Sequence, residues 1–181
     1  MKEEIIIAGF GGQGVLSMGK ILAYGGIMQD QEVSWLPSYG PEMRGGTCNV
    51  SVVLSDNKIS SPILSKFDTA IILNQQSMDK FEKQVKPGGL LIYDTNGITR
   101  HPERDDITIC RIDAVEEAAK LGNAKAYNMV VLGAYLKMKP VVTMDNVIKG
   151  LKKSLPPRRH NLIPMNEEAI TVGMNAVVKV K

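Results

Sequence analysis

The feature that most constrains this chain is Ile5-Ile6-Ile7-Ala8-Gly9-Phe10-Gly11-Gly12-Gln13-Gly14, an apolar run that breaks into closely spaced glycines. Consecutive β-branched residues suit a strand covered on both faces. The glycines permit positive φ and close backbone approach where the chain turns into a helix. This is how an α/β domain opens. Gly9, Gly11 and Gly14 also spell G-x-G-x-x-G, which raises the question of a dinucleotide on the turn.

Length and composition bound the answers. A chain of 181 residues can bury about 70% of its unfolded surface, and one domain spanning 1–181 is expected. With 44% hydrophobic and 23% charged residues, the chain has the composition of an ordinary soluble domain, not of a membrane or disordered one. A net charge of +3 is too small to argue for nucleic acid. The charged start Met1-Lys2-Glu3-Glu4 does not resemble a signal peptide, so the cytoplasm is the expected location. Cys48 and Cys110 fall in separate strand-like segments and are expected as reduced, partly buried thiols. There is no Cys-x-x-Cys to hold iron–sulfur or zinc.

Periodicity and punctuation predict the remaining elements. A helix follows over 15–24, with Gly25-Gly26 as its stop, and a second strand over 33–36 is cut off by Pro37. The third strand, 47–54, places Cys48, Val50, Val52 and Leu54 on one buried face, and Lys58-Ile59-Ser60 is expected to return antiparallel as a short edge strand. Residues 69–73, 77–85 and 90–94 read as a βαβ unit, followed by a polar loop over 96–106, a strand over 107–112 and a helix over 114–121. The helix over 126–137 is apolar nearly all round, which implies burial in a core or against a second chain. Thr143 is placed to cap the next helix, a basic bend covers 152–160, and Asn166 is expected to start the last helix. Together these segments predict a Rossmann-like α/β fold in three layers. Its sheet is mixed and mainly parallel, with a short antiparallel edge hairpin and helices on both faces.

Three motifs invite a chemical reading. Nicotinamide binding needs an acid at the carboxyl end of the second strand to hold the ribose, whereas Asp30 and Glu32 stand at its start. A phosphate loop is approximated by Gly14 to Lys20, but Ile21 replaces the hydroxyl that should reach magnesium, so Lys20 reads as a surface lysine. The loop Tyr39-Gly40-Pro41-Glu42-Met43-Arg44-Gly45-Gly46 carries an aromatic, an acid and a base among turn residues, and an Arg beside two glycines can present its planar fork freely. His101 and His160 read as ordinary exposed loop histidines, and the basic bend lacks the aromatic interleaving of a nucleic-acid site.

Gly11-Gly12-Gln13-Gly14 after the first strand, the Tyr39 to Gly46 loop after the second, and Ser60-Ser61-Pro62 followed by Phe67-Asp68 together resemble the gamma subunit of 2-oxoacid:ferredoxin oxidoreductases. Trp35-Leu36-Pro37 ahead of the loop is most similar to the 2-oxoglutarate and branched-chain members, and Cys48 stands where a small residue is expected. The resemblance implies a cytoplasmic hetero-oligomer. Its thiamine diphosphate-binding alpha and beta chains and a ferredoxin-like delta chain would convert a 2-oxoacid, 2-oxoglutarate first among them, and coenzyme A into acyl-CoA and CO2, with ferredoxin as electron acceptor. Thiamine diphosphate, magnesium, iron–sulfur clusters and coenzyme A are expected in that complex, none of them bound by this chain alone. This chain would be an accessory part of the assembly, inactive in isolation, with no nucleic acid or membrane partner and a capacity to self-associate when isolated. Gly11, Gly12, Gln13, Gly14, Tyr39, Gly40, Pro41, Glu42, Arg44, Gly45 and Gly46 are its expected partner-facing loops, the first four as a backbone-donor turn for an anion such as part of coenzyme A. The rival reading is a stand-alone nucleotide-binding or regulatory module using the same turn.

Overall fold

A computed structural model describes residues 1–39 and 47–181. Its centre is a seven-stranded sheet in the order β2-β3-β1-β4-β5-β6-β7. The strands are β1 Lys2–Phe10, β2 Glu32–Tyr39, β3 Thr47–Ser55, β4 Phe67–Ile72, β5 Val85–Asp94, β6 Thr108–Ile112 and β7 Val178–Lys179. β1, β4, β5 and β6 run parallel, and antiparallel pairs flank them at both edges. The edge hairpin expected at Lys58-Ile59-Ser60 is absent, since those residues join no strand; β2 and β3 make the antiparallel pair instead.

The isoleucine run behaves as its chemistry demands. Ile5 and Ile7 enter one core while Ile6 and Ala8 enter the other, and all four are at most 1% exposed. The two cores are unequal. One face carries α1 Val15–Met28, α3 Ala114–Lys120, α4 Tyr127–Met138, α5 Met144–Ser154 and α6 Ile163–Ala176. The other is covered by α2 Gln75–Phe81 together with Leu64, Ile98 and Ile107 from loops.

Several boundaries differ from expectation for packing reasons. Gly25-Gly26 does not stop α1, which runs on to Met28. A Cβ on Gly25 would lie 2.8 Å from Val142 Cγ1, and one on Gly150 would lie 2.9 Å from the Gly25 nitrogen, so small residues here let α1 and α5 touch. Pro37 sits within β2 because that strand lies at the sheet edge, where a missing donor is tolerated. α6 starts at Ile163 with Pro164 in its first turn, ahead of Asn166. Thr143 caps α5 as expected, its Oγ1 accepting from Asn146 N at 3.3 Å.

The apolar α4 is covered within the chain, with residues 129–136 all buried between the sheet and α6. Its apolar surface therefore does not require a second copy. At its crossing with α6 a Cβ on Gly133 would come within 1.9 Å of Ile170 O, and one on Gly173 within 1.9 Å of Val130 O. Neither backbone can yield as a flexible side chain does. The polar loop before β6 is likewise pinned, because buried Glu82 accepts from Glu103 N at 2.5 Å and pairs with Arg100 at 2.9 Å.

At the amino end of the parallel strands, Glu3 is buried and accepts from Thr69 Oγ1 at 2.6 Å, with Lys139 Nζ 3.6 Å away. Burial pushes the Glu3 carboxyl above its ordinary value of 4.5, outweighing the lowering by Thr69 and Lys139. Folding thus favours the protonated form. Its stabilising contribution is present below 4.5 and is lost as pH rises toward the raised folded value. Glu3→Gln is expected to flatten the fall in stability over that window, measured by urea unfolding against pH. Gly133→Ala should cost about 3 kcal/mol by overpacking the α4–α6 crossing, read as a lower denaturation midpoint; an unchanged midpoint would contradict the crossing.

Candidate functional site

The glycine turn occupies the carboxyl edge of the sheet, where crevices of open α/β folds form. After Phe10 the chain turns through Gly12 at φ 96° and Gly14 at φ 75°, both left-handed conformations suited to glycine. Gln13 holds the turn from inside. Its Oε1 accepts from Phe10 N at 2.6 Å and its Nε2 donates to Leu73 O at 3.3 Å, which ties the turn to the end of β4. Asn128, at the start of α4, donates to Gly14 O at 3.4 Å. The turn is thus fastened to two other elements before α1 begins.

Gly14 caps α1 with no side-chain hydrogen bond, and the first turn of α1 carries no acid. Its amide end faces a cavity of about 270 Å³ lined by Phe10, Gly11, Gly12, Gly14, Val15, Leu16, Ser17 and Cys48. Helix N-termini and backbone donors of this kind favour anions. Cys48 is free and buried, and burial pushes its thiol up, so it contributes volume more than reactivity.

Strand register relates the two sequence motifs. Thr47 pairs with Phe10, Cys48 with Gly9, and Tyr39 with Cys48. Both chain ends of the 40–46 segment therefore reach the edge that bears residues 11–14. Gly40, Pro41, Glu42, Arg44, Gly45 and Gly46 themselves lie outside the described residues.

A second cavity of about 300 Å³ lies beside the turn, lined by Gly12, Gln13, Val115, Ala118, Ala124 and Tyr127. Beneath it stands Asp94, 1% exposed, which accepts from Tyr127 Oη at 2.9 Å and from Ala114 N at 3.2 Å. Burial raises the Asp94 carboxyl, and burial with the adjacent carboxylate pushes the Tyr127 phenol far up, so Tyr127 stays a donor. This pair joins the ends of β5, α3 and α4. The sequence reading missed it; the available signal was an acid closing an apolar strand.

The nicotinamide reading meets a topological obstacle. β3 lies between β1 and β2, so the second strand is two positions from the glycine turn, roughly 10 Å away. Glu32 pairs with Ser55, which pairs with Lys2, at the opposite end of the sheet. Residues 15–21 are helical and Lys20 is exposed, as the failed phosphate-loop match implies. An iron–sulfur cluster does not fit the thiols either, since Cys48 on β3 and Cys110 on β6 are separated by three strands. His101 is exposed, whereas His160 is half-buried with Nε2 2.9 Å from Leu155 O, closing the end of α5. Among the described residues no nucleophile and base converge on the turn, and what the edge offers is backbone donors and surface. No helix among them is long and apolar enough to cross a membrane.

Comparison with known proteins agrees with this geometry. Residues 4–176 match the pyruvate ferredoxin/flavodoxin oxidoreductase family. Ketoisovalerate oxidoreductase subunit VorA of Methanothermobacter thermautotrophicus is 42% identical over 94% of the chain, which spans only 35% of that relative's length. The 2-oxoglutarate synthase subunit KorC of Methanocaldococcus jannaschii is 34% identical, over 86% of this chain and 85% of its own. The crystal structure of a keto/oxoacid ferredoxin oxidoreductase gamma subunit from Geobacter sulfurreducens superposes with a TM-score of 0.80 at 27% identity, covering 96% of both chains. The chain belongs to the pyruvate ferredoxin/flavodoxin oxidoreductase family.

Proposed function

We propose that this chain is the gamma subunit of a 2-oxoacid:ferredoxin oxidoreductase, a single domain acting within a complex of alpha, beta and delta partners. The observation that carries the reading is the likeness to a gamma subunit along 96% of both chains, joined to a carboxyl edge at which, among the described residues, no nucleophile and base converge. The complex would convert a 2-oxoacid and coenzyme A to acyl-CoA and CO2 while reducing ferredoxin, with 2-oxoglutarate and 2-oxoisovalerate as the first substrates to test. Thiamine diphosphate supplies the carbanion chemistry in such enzymes, and here it belongs with its magnesium to partner chains, as do the iron–sulfur clusters.

This chain's own part is to present two loops. Gly11, Gly12 and Gly14, held in place by Gln13 and Asn128, offer amide donors to an anionic group such as a phosphate of coenzyme A. In this reading Tyr39, Glu42 and Arg44 contribute to the intersubunit or active-site wall, and an arginine fork suits a carboxylate or phosphate.

The chain expressed alone should fail to reduce viologen with any 2-oxoacid, and co-expression with its partners should restore turnover; turnover by the isolated chain would overturn the assignment. Arg44→Ala should weaken assembly or turnover of the complex by about tenfold, the loss of roughly 1.4 kcal/mol from one charge-assisted contact. Its melting temperature should not move, and full activity in that variant would remove Arg44 from the wall.

A further inference from the structure

A separate cleft of about 410 Å³ opens on the face of the sheet opposite α1, lined by Tyr93, Thr95, Ile98, Thr99, His101, Arg111 and Val180. Its floor is made by adjacent strands, since Tyr93 of β5 pairs in register with Arg111 of β6. Its walls are preformed. Gln75 Oε1 accepts from Thr99 N at 2.9 Å and Arg100 N at 2.8 Å, fixing the loop, and Val180 N donates to Ile109 O at 2.8 Å, fixing the terminal segment.

The charges in and around this cleft are unevenly satisfied. Arg100 is held by Glu82 at 2.9 Å and Asp79 at 3.1 Å, and Arg104 by Asp106 at 2.5 Å. Among the described residues Arg111 has no such partner, and Asp113, close to it in sequence, is engaged by Thr95 Oγ1. An unpaired, exposed guanidinium and an exposed imidazole line the same cleft as the apolar Ile98 and Val180, a lining that suits a flat organic anion. The charged head meets Arg111 and His101, and the body lies against Ile98, Val180 and the small exposed part of Tyr93. The volume falls in the range of ordinary small-molecule sites.

We infer that this cleft binds an aromatic anion with a phosphate or carboxylate head, independently of the glycine turn. The test titrates the isotope-labelled full chain, alone and in its complex, with adenosine 5′-monophosphate and in parallel with benzoate, followed by NMR shifts. Saturable shifts at Thr95, Thr99, His101 and Arg111 with either probe support the site, and the tighter probe identifies the head. Arg111→Gln and His101→Ala should each weaken binding at least about tenfold, while Arg159→Gln, on an exposed turn, leaves it unchanged. Absence of saturation, equal weakening by Arg159→Gln, or shifts centred on residues 11–17 would overturn the assignment.

Discussion

Burial of β1 on both faces is the constraint from which the remaining architecture follows. A strand whose Ile5 and Ile7 point one way and Ile6 the other cannot lie at an edge or against solvent. It must have strands on both sides and cover above and below. β3 and β4 supply the first, and α1 and α2 the second. Deleting methyl groups from these isoleucines would each cost on the order of 1 kcal/mol or more, which indicates how strongly the strand's position is specified.

The same strand places the functional edge. Because β1, β4 and β5 run parallel, their carboxyl ends gather Gly11 to Gly14, Asn74, Asp94 and the start of α3 in one region. β2 runs up to that edge and antiparallel β3 runs away from it, which brings the termini of the 40–46 segment beside the glycine turn. The edge is held by side-chain hydrogen bonds from Gln13, Asn128 and Tyr127 that satisfy groups inside the chain. Among the described residues that arrangement assembles no nucleophile and base, which suits the proposed part of a subunit working with other chains.

The opposite edge has a different economy of charge. Buried Glu3 is kept by Thr69 and Lys139, while Glu4 is held below its ordinary value because Lys2 and Lys86 outweigh the effect of burial. Two adjacent acids thus respond to pH in opposite senses, since alternation along β1 sends them to opposite faces. Both residues belong to the charged start of the sequence, whose pattern does not reveal this difference.

The sequence by itself determined the strand-to-helix opening, the α/β class, the capped α5 and the misfit of a nicotinamide site. Each depends on local chemistry: β-branched runs, glycine punctuation, a hydroxyl cap, and the position of Asp30 and Glu32 relative to one strand. Only the tertiary structure decided that Gly25-Gly26 continues a helix and that α4 is covered by α6 through Gly133 and Gly173. It alone placed β3 between β1 and β2 and paired Tyr127 with Asp94. A glycine that ends a helix and one that lets two helices touch look identical along the chain. The distinction lies in which group comes to rest against it, and that neighbour is distant in sequence: Val142 for Gly25, Ile170 for Gly133.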